Sequence, residues 1–196
     1  MSRLYLVRHG HARWEPDEAR PLSSQGRLDA ERVADLLDAS DPSGIYSSPA
    51  RRALETVEPL ADRKGLPVVP LSDLRERELP EQAPQEFESA VRASWQQPDV
   101  GVGGGEPNVV AQARGLRVLR HMRSRHPEET IVAATHGNLL ALLLNGLDST
   151  FGFEFWKGMT FPDIYQLRFE DGALGDVRRL WREAGDVTPS GRSFSE

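Results

Sequence analysis

Cysteine is absent from this chain, which excludes disulfides, zinc–thiolate sites and cysteine nucleophiles. Long apolar segments are absent too. The longest run without a polar residue, Leu139 to Leu144, falls far short of the ~18–20 residues that cross a bilayer. The N-terminus lacks the apolar core and small-residue cleavage site of a signal peptide. We therefore expect a cytoplasmic protein that has no membrane partner.

A basic tail is also missing, and the formal net charge is −6 over 196 residues. Binding to a nucleic-acid backbone needs clustered Lys and Arg, so we expect no nucleic-acid partner. A small phosphorylated molecule is compatible with this charge, because a pocket can be cationic inside an acidic protein. The length is enough for one domain with a full hydrophobic core, and it does not indicate an oligomeric state.

Two apolar segments that end in His-Gly indicate where a site lies. Residues 4–7 run into Arg8-His9-Gly10, and residues 130–135 run into His136-Gly137-Asn138. Continuous apolar runs of this length are typical of buried parallel strands. Ligands of open α/β sheets bind beyond the carboxyl ends of such strands. The pattern therefore predicts two imidazoles at one crevice. The alternative for the first segment is an Arg-His pair in a surface loop.

The rest of the chain alternates β-prone runs with segments of helical spacing, which indicates an α/β protein. The predicted elements are a helix capped by Ser23 or Ser24 and ending after Leu37, a strand at 45–48, a helix opened by Pro49, a strand at 67–71, helices at 84–97 and 109–126, a buried helix around 139–144, and a half-exposed strand at 164–169 in a hairpin with 174–180. We expect one domain over residues 1–182, followed by a polar tail at 183–196.

An arginine pair, Arg51 and Arg52, lies in the first turn of the helix that Pro49 is predicted to open. Cations are favoured at the other end of a helix, so an arginine here is not explained by the helix dipole. Together with the backbone N–H groups of a helix N-terminus, it makes a good anion site. The alternative is two solvated arginines.

Four blocks of the sequence occur in the order found in a known protein family. They are Leu6-Val7-Arg8-His9-Gly10, the segment from Ser47 to Thr56, Leu74-Arg75-Glu76, and Thr135-His136-Gly137. On these blocks the chain resembles the histidine phosphatase superfamily, also called phosphoglycerate-mutase-like, over essentially the whole predicted domain. The resemblance implies a three-layer α/β/α sandwich with a mostly parallel central sheet.

The resemblance also implies how the phosphoryl group is held. His9 would be the nucleophile and become phosphohistidine, while Arg8 and His136 would bind the phosphoryl oxygens. The family's second arginine is followed by Ala and, four places on, by Thr. That register selects Arg52 and not Arg51.

Proton transfer would fall to an acidic residue two places after a Leu, which is Glu76. The Gly137-Asn138 turn after the second histidine would contribute to substrate binding, in part through a backbone N–H. No metal and no cofactor is implied. The substrate class is a small phosphorylated molecule, and the leaving alcohol is not identified.

Departures from the family pattern favour hydrolysis over phosphoglycerate mutase-type transfer, which is the second candidate. His11-Ala12 follows Gly10 where members often have Gly-Glu-Thr or Gly-Glu-Ser, and Trp14 is followed by Glu15 and not Asn. Mutases carry further cations beyond the acid for a second phosphate and a carboxylate. Between Glu78 and Val91 this chain has no Lys or Arg.

The chemistry explains why such residues are needed. Phosphoryl transfer spreads charge over three equatorial oxygens, which planar guanidinium groups hold in a fixed fork. The attacking imidazole must be neutral, with its far N–H held by an acceptor such as a backbone carbonyl. We expect a second imidazole, protonated, to add another donor. Attack through a covalent intermediate splits the hydrolysis into two steps.

Two further functions stay open from the residues alone. His9, His11 and His136 could form a metal site, completed by Asp17 or Glu76, in a metal-dependent hydrolase. The charge of the neighbouring arginine in Arg8-His9 would repel such a cation. A non-catalytic binder of phosphorylated ligands on the same scaffold is the other alternative.

Overall fold

The computed structural model describes residues 1–13, 19–79 and 84–182. The predicted tail at 183–196, and the predictions that concern Trp14, Glu15 and Asp17, lie outside the described residues. The strands are β1 (Ser2–Arg8), β2 (Gly44–Ser47), β3 (Val68–Pro70), β4 (Thr130–Thr135), β5 (Asp163–Glu170) and β6 (Ala173–Arg179), and the helices are α1 (Ser24–Leu37), α2 (Arg51–Lys64), α3 (Pro84–Gln96), α4 (Asn108–Arg125), α5 (Gly137–Leu147) and α6 (Phe153–Lys157).

The described strands form one sheet in the order β3-β2-β4-β1-β5-β6. Neighbouring strands from β3 to β1 pair in parallel, whereas β5 runs antiparallel to both β1 and β6. The predicted α/β fold with a mostly parallel sheet is therefore confirmed. The carboxyl ends of β1, β2 and β4 meet at one edge, as expected for a site beyond these strands.

Helices cover both faces of the sheet and make three layers. Side chains of α1 and α2 pack on one face with Tyr5 and Val7 of β1, and those of α4 and α5 pack on the other with Leu4 and Leu6. Strand side chains alternate between faces, so β1 contributes to two cores at once. Each such side chain, fully buried, stabilises the fold by about 1.5–3 kcal/mol. A strand locked on both faces gives its terminal residues a fixed position.

Two predicted details are wrong, and one short helix was missed. β5 is not half-exposed: its first five residues are buried, because it lies inside the sheet between β1 and β6. Pro49 does not open α2, which begins at Arg51 with Ala50 as N-cap. The five-residue helix α6 was not predicted, because one turn and a half is too short to show helical periodicity.

The described part of the chain contains no helix that is both long enough and apolar enough to span a membrane.

The N-terminus of α1 lies against the loop that follows β1. Ser23 caps the helix, as predicted, by accepting a hydrogen bond from the Gly26 N–H at 3.0 Å. A Cβ on Gly26 would overlap the His11 carbonyl, and a Cβ on Gly10 would lie 3.2 Å from the Gly26 oxygen. The two glycines therefore permit a close backbone approach next to the end of β1.

Replacing Gly26 by Ala should destabilise the protein by about 1–3 kcal/mol, because the new methyl group meets backbone that cannot turn aside. The midpoint of urea unfolding would measure the loss. Gly152→Ala is the matched control, since apart from its neighbours in the chain no described residue lies within 4 Å of a Cβ built there. Equal stability of the two variants would contradict the close packing of α1 on the loop.

Candidate active site

Two imidazoles meet because two neighbouring strands end at the same level. β1 and β4 pair in parallel with Arg8 opposite Thr135, so His9 and His136 are the first residues beyond each strand. The His9 N–H donates to the Thr135 carbonyl at 3.0 Å and extends the pairing by one residue. Both side chains are buried, and their ring centroids are 5.1 Å apart.

The second arginine of the pair on α2 joins the two rings. Arg52 is buried, and its Nε donates to His9 Nε2 at 3.2 Å while its Nη2 donates to His136 Nδ1 at 3.2 Å. Arg51 instead lies at the surface, with 60% of its side chain exposed, and forms an ion pair with Glu55. The structure thus brings Arg52, and not Arg51, to the predicted site.

Thr56, one turn further along α2, connects this helix to the loop after β1. Its hydroxyl donates to the Arg52 carbonyl at 2.7 Å and accepts the Gly10 N–H at 3.0 Å. One buried side chain therefore ties the backbone next to His9 to the helix that carries Arg52.

Hydrogen bonds determine which nitrogen of each ring carries the proton. Because a guanidinium can only donate, the His9 Nε2 and His136 Nδ1 atoms are acceptors. His9 Nδ1–H then donates to the Gly10 carbonyl at 2.8 Å, the backbone partner predicted for a neutral nucleophile. His136 Nε2–H donates to the Ser48 hydroxyl at 2.8 Å. Ser48 follows β2 in a block that the sequence singles out, but no role was predicted for it.

The electrostatics of the site agree with neutral rings. Burial lowers the pKa of His9 well below its ordinary value, and the Arg52 cation lowers it further. Burial also lowers the pKa of His136 well below its ordinary value, with His9 and then Arg52 adding to the effect. In this hydrogen-bond network His136 is a neutral donor through Nε2, which differs from the protonated second imidazole expected from the sequence.

Arg8 lies beneath the first turn of α5. Its Nη1 donates to the Met159 carbonyl at 3.1 Å, and its guanidinium stacks on the Phe161 ring at 3.4 Å. A Cβ on Gly137 would lie 3.0 Å from the guanidinium carbon, so a larger residue here would have to displace the buried Arg8 group. Burial lowers the pKa of Arg8 to about 10, partly offset by Glu76, so the group stays cationic at neutral pH.

Glu76 lies at the N-terminus of α5. Its Oε1 accepts the backbone N–H groups of Arg77 at 2.9 Å and Leu139 at 3.0 Å. Its Oε2 accepts the Asn138 backbone N–H at 3.1 Å and the Asn138 side-chain amide at 3.3 Å. The carboxyl group is therefore held by four N–H donors between the helix and the cationic group of Arg8.

Two residues at the site were missed by the sequence reasoning. Arg20 is half-buried, and its charge lowers the pKa of both His9 and His136. Phe161, with 44% of the residue exposed, holds its ring 5.4 Å from the His9 ring. Both come from irregular segments, where no periodicity marks a residue, and neither belongs to a motif block.

The geometry does not favour the metal-site alternative. Acceptor nitrogens of both His9 and His136 face the Arg52 cation, and exposed His11 bonds to the Ser23 hydroxyl at 2.9 Å. Among the residues that the structure describes, no three His, Asp or Glu side chains are arranged to hold a metal ion.

Comparisons with known proteins identify the family to which the sequence and the fold are similar. A model of the histidine phosphatase superfamily (branch 1) matches residues 4–177. Phosphoglycerate mutase-like protein 4 of Arabidopsis thaliana is 31% identical over 159 residues, covering 72% of this chain and 69% of its own. Glucosyl-3-phosphoglycerate phosphatase of Mycolicibacterium vanbaalenii is 30% identical, covering 75% and 74%. The solved structure of the mycobacterial glucosyl-3-phosphoglycerate phosphatase with VO3 is 26% identical and covers 90% and 96% of the two chains, with a TM-score of 0.74.

At pH 6.5 both site imidazoles should be neutral, because burial and the nearby cations lower both pKa values well below the ordinary range. Histidine ring ¹⁵N shifts should identify His9 as the Nδ1–H tautomer and His136 as the Nε2–H tautomer. Arg52→Gln removes a cation that faces both rings, so it should raise both pKa values. Imidazolium signals from either ring of the unaltered protein at pH 6.5 would contradict the described network.

Proposed function

The chain belongs to the histidine phosphatase superfamily (branch 1), and we propose that it is a metal-independent phosphomonoesterase acting on a small phosphorylated substrate through phosphohistidine at His9. The observation that carries this proposal is the neutral His9 ring, whose Nδ1–H is held by a backbone carbonyl while its Nε2 lone pair faces a guanidinium group. A phosphoryl group drawn to that cation arrives next to the lone pair.

In the first step, the His9 Nε2 lone pair attacks phosphorus, the P–O bond to the alcohol breaks, and a proton from Glu76 goes to the leaving oxygen. In the second step, water attacks phosphorus, the P–N bond breaks, and Glu76 takes up the proton of the water. Inorganic phosphate leaves and His9 is neutral again. Each step has one bond made and one broken, as two-step covalent catalysis requires.

Charge stabilisation would come from Arg8, Arg52 and His136. The Arg52 N–H groups that donate to the two rings would instead donate to phosphoryl oxygens when a substrate is bound, because a guanidinium group binds phosphate oxygens as a charged donor. Arg8 Nε–H, which has no hydrogen-bond partner among the described residues, is a further donor. Half-buried Arg20 adds a cation at the same site, although no motif includes it. Such donors act most strongly where water is excluded.

The hydrogen bonds of Glu76 define what proton donation requires. A carboxylate offers about four lone-pair positions, and four N–H groups occupy them. A proton on Oε2 must therefore displace one of these bonds. The Asn138 amide makes the longest of them, at 3.3 Å, and its buried Oδ1 has no partner among the described residues. Rotation of this amide would present an acceptor to the protonated carboxyl group.

Mutase-type transfer is the second candidate, since one relative is named mutase-like and two relatives from Brucella, each 30% identical, are named phosphoglycerate mutases. The chain segment beyond Glu76 that would have to bind a second phosphate contains no Lys or Arg from Glu78 to Val91. The lack of these cations favours water over a second phosphorylated substrate as acceptor.

Incubation with a labelled phosphoester and rapid denaturation should trap acid-labile, base-stable phosphate on the protein, and His9→Ala should abolish both the trapped label and turnover without loss of the fold.

A panel of sugar phosphates, phosphoglycerates, nucleotides and phosphoproteins should be run with and without chelator. Activity lost on chelation and restored by zinc would support the metal-dependent hydrolase. No turnover of any ester would support a non-catalytic binder.

The neighbouring arginines provide an internal comparison. Arg52→Ala should lower kcat/KM by about 10²–10³-fold, the usual cost of losing a donor to transition-state charge. Arg51→Ala should change kcat/KM by less than about threefold, because its exposed ion pair with Glu55 contributes little. Steady-state kinetics on the best ester of the panel would measure both. A larger effect at Arg51 would contradict the proposed register.

A further inference from the structure

We propose that Arg114 of α4 and its partner Glu106 are positioning residues that hold the proton donor Glu76 in place, a role that rests on the proposed function. Neither residue lies in a motif block, and neither belongs to the group of Arg8, Arg52 and His136 that would bind the phosphoryl group. Both are buried, with 4% and 9% of each residue exposed.

The Arg114 guanidinium uses all five of its N–H donors. Nε and Nη2 bond to the two oxygens of the Glu106 carboxylate, each at 2.8 Å. Nη1 donates to the carbonyls of Asp73 at 2.8 Å and Arg75 at 2.9 Å, and Nη2 donates to the carbonyl of Glu76 at 3.1 Å. The backbone of the segment that carries the proton donor is therefore bound directly to a buried cation.

This segment has little other regular support. Residues 75–79 belong to no helix or strand, so their backbone groups have no ladder partners. Arg77, next to the proton donor, turns away from the site and donates to the Ser94 hydroxyl at 3.0 Å and the Glu106 carbonyl at 3.3 Å. The side chains of Glu76 and Arg77 thus bind different partners, and Arg114 holds the backbone carbonyls at and before Glu76.

Glu106 anchors the guanidinium from its other side. Its backbone N–H donates to the Glu78 carbonyl at 2.8 Å, which fastens it to the same segment. Burial, the largest single effect, raises the pKa of Glu106, but the bonds and charge of Arg114, the Glu78 N–H and the Arg75 cation together lower it below its ordinary value. An ionised carboxylate bound bidentately keeps the guanidinium plane in one orientation.

The position of the Glu76 carboxyl group matters for the reaction. A displacement of about 1 Å at a catalytic group can cost 10²-fold in rate. Lysine could not replace Arg114, because a single ammonium has three donors and no planar fork. Loss of the clamp should therefore impair the step that depends on Glu76, while the phosphoryl cradle of Arg8, Arg52 and His136 keeps its shape.

The test is a comparison of leaving groups. Alkyl phosphates need a proton on the departing oxygen, whereas 2,4-dinitrophenyl phosphate releases a stable anion without one. Arg114→Lys and Glu106→Gln should lower kcat/KM for alkyl phosphates by about 10–100-fold, below the 10²–10⁴-fold worth of general acid catalysis itself. Their effect on the dinitrophenyl ester should stay within about threefold.

Two reference variants are measured alongside. Arg117→Lys is the matched control: Arg117 also lies on α4 and contacts Asp73, but its side chain is 63% exposed and, among the described residues, bonds to the Asp73 carboxylate and to no backbone carbonyl. This variant should leave kcat/KM unchanged for both esters. Glu76→Gln should show the full leaving-group dependence.

The outcomes separate the two claims. If Glu76→Gln lowers kcat/KM equally for both esters, the proposed proton donor is wrong. If Glu76→Gln lowers kcat/KM for the alkyl ester alone, but Arg114→Lys and Glu106→Gln lower it equally for both esters or leave it unchanged for both, the positioning role is overturned. Circular dichroism and thermal unfolding identify a variant that does not fold. Glu106→Gln keeps the shape of its side chain and leaves Arg114 in place, so it decides the question if Arg114→Lys is unfolded.

Discussion

The chemistry of the site depends on one constraint: the Arg52 guanidinium donates to a lone pair on each of two buried imidazoles. These acceptor nitrogens must be unprotonated while the bonds persist, since a guanidinium has no lone pair to offer. The other nitrogen of each ring then carries a proton and bonds to the Gly10 carbonyl or the Ser48 hydroxyl. Charge, tautomer and ring orientation of the pair therefore follow from a single side chain.

Much of the scaffold around this side chain was predictable, because it follows from short-range patterns. Apolar runs ended by His-Gly identify β1 and β4, and parallel pairing alone brings their ends together. The failure at β5 is instructive. Its alternating sequence predicts one exposed face, but Gln166 is buried there and donates to the Tyr5 hydroxyl at 2.7 Å. A polar residue with a satisfied partner can occupy a core, and alternation cannot distinguish it from an exposed one.

Other parts of the site could not be predicted, since they depend on contacts between distant segments. Met159 and Phe161 reach Arg8 across about 150 residues of chain, through a carbonyl and a ring face that leave no trace in local spacing. Arg114 lies within a helix whose apolar periodicity says nothing about a buried cation on it. The role of such a residue comes from the backbone carbonyls that the fold places around it. Sequence patterns describe side chains and therefore do not reveal this role.

The location of Glu76 sets a condition that the proposed mechanism must meet. Four N–H donors occupy its carboxyl oxygens, three of them from the backbone and one from the Asn138 amide. A proton held on the carboxyl group has to replace one of these bonds, so the partners of the side chain change as the proton is given up and regained. Such a group keeps its position only if the backbone that carries it is held independently of the carboxyl group. That is the role we assign to the guanidinium of Arg114, which binds the Glu76 carbonyl.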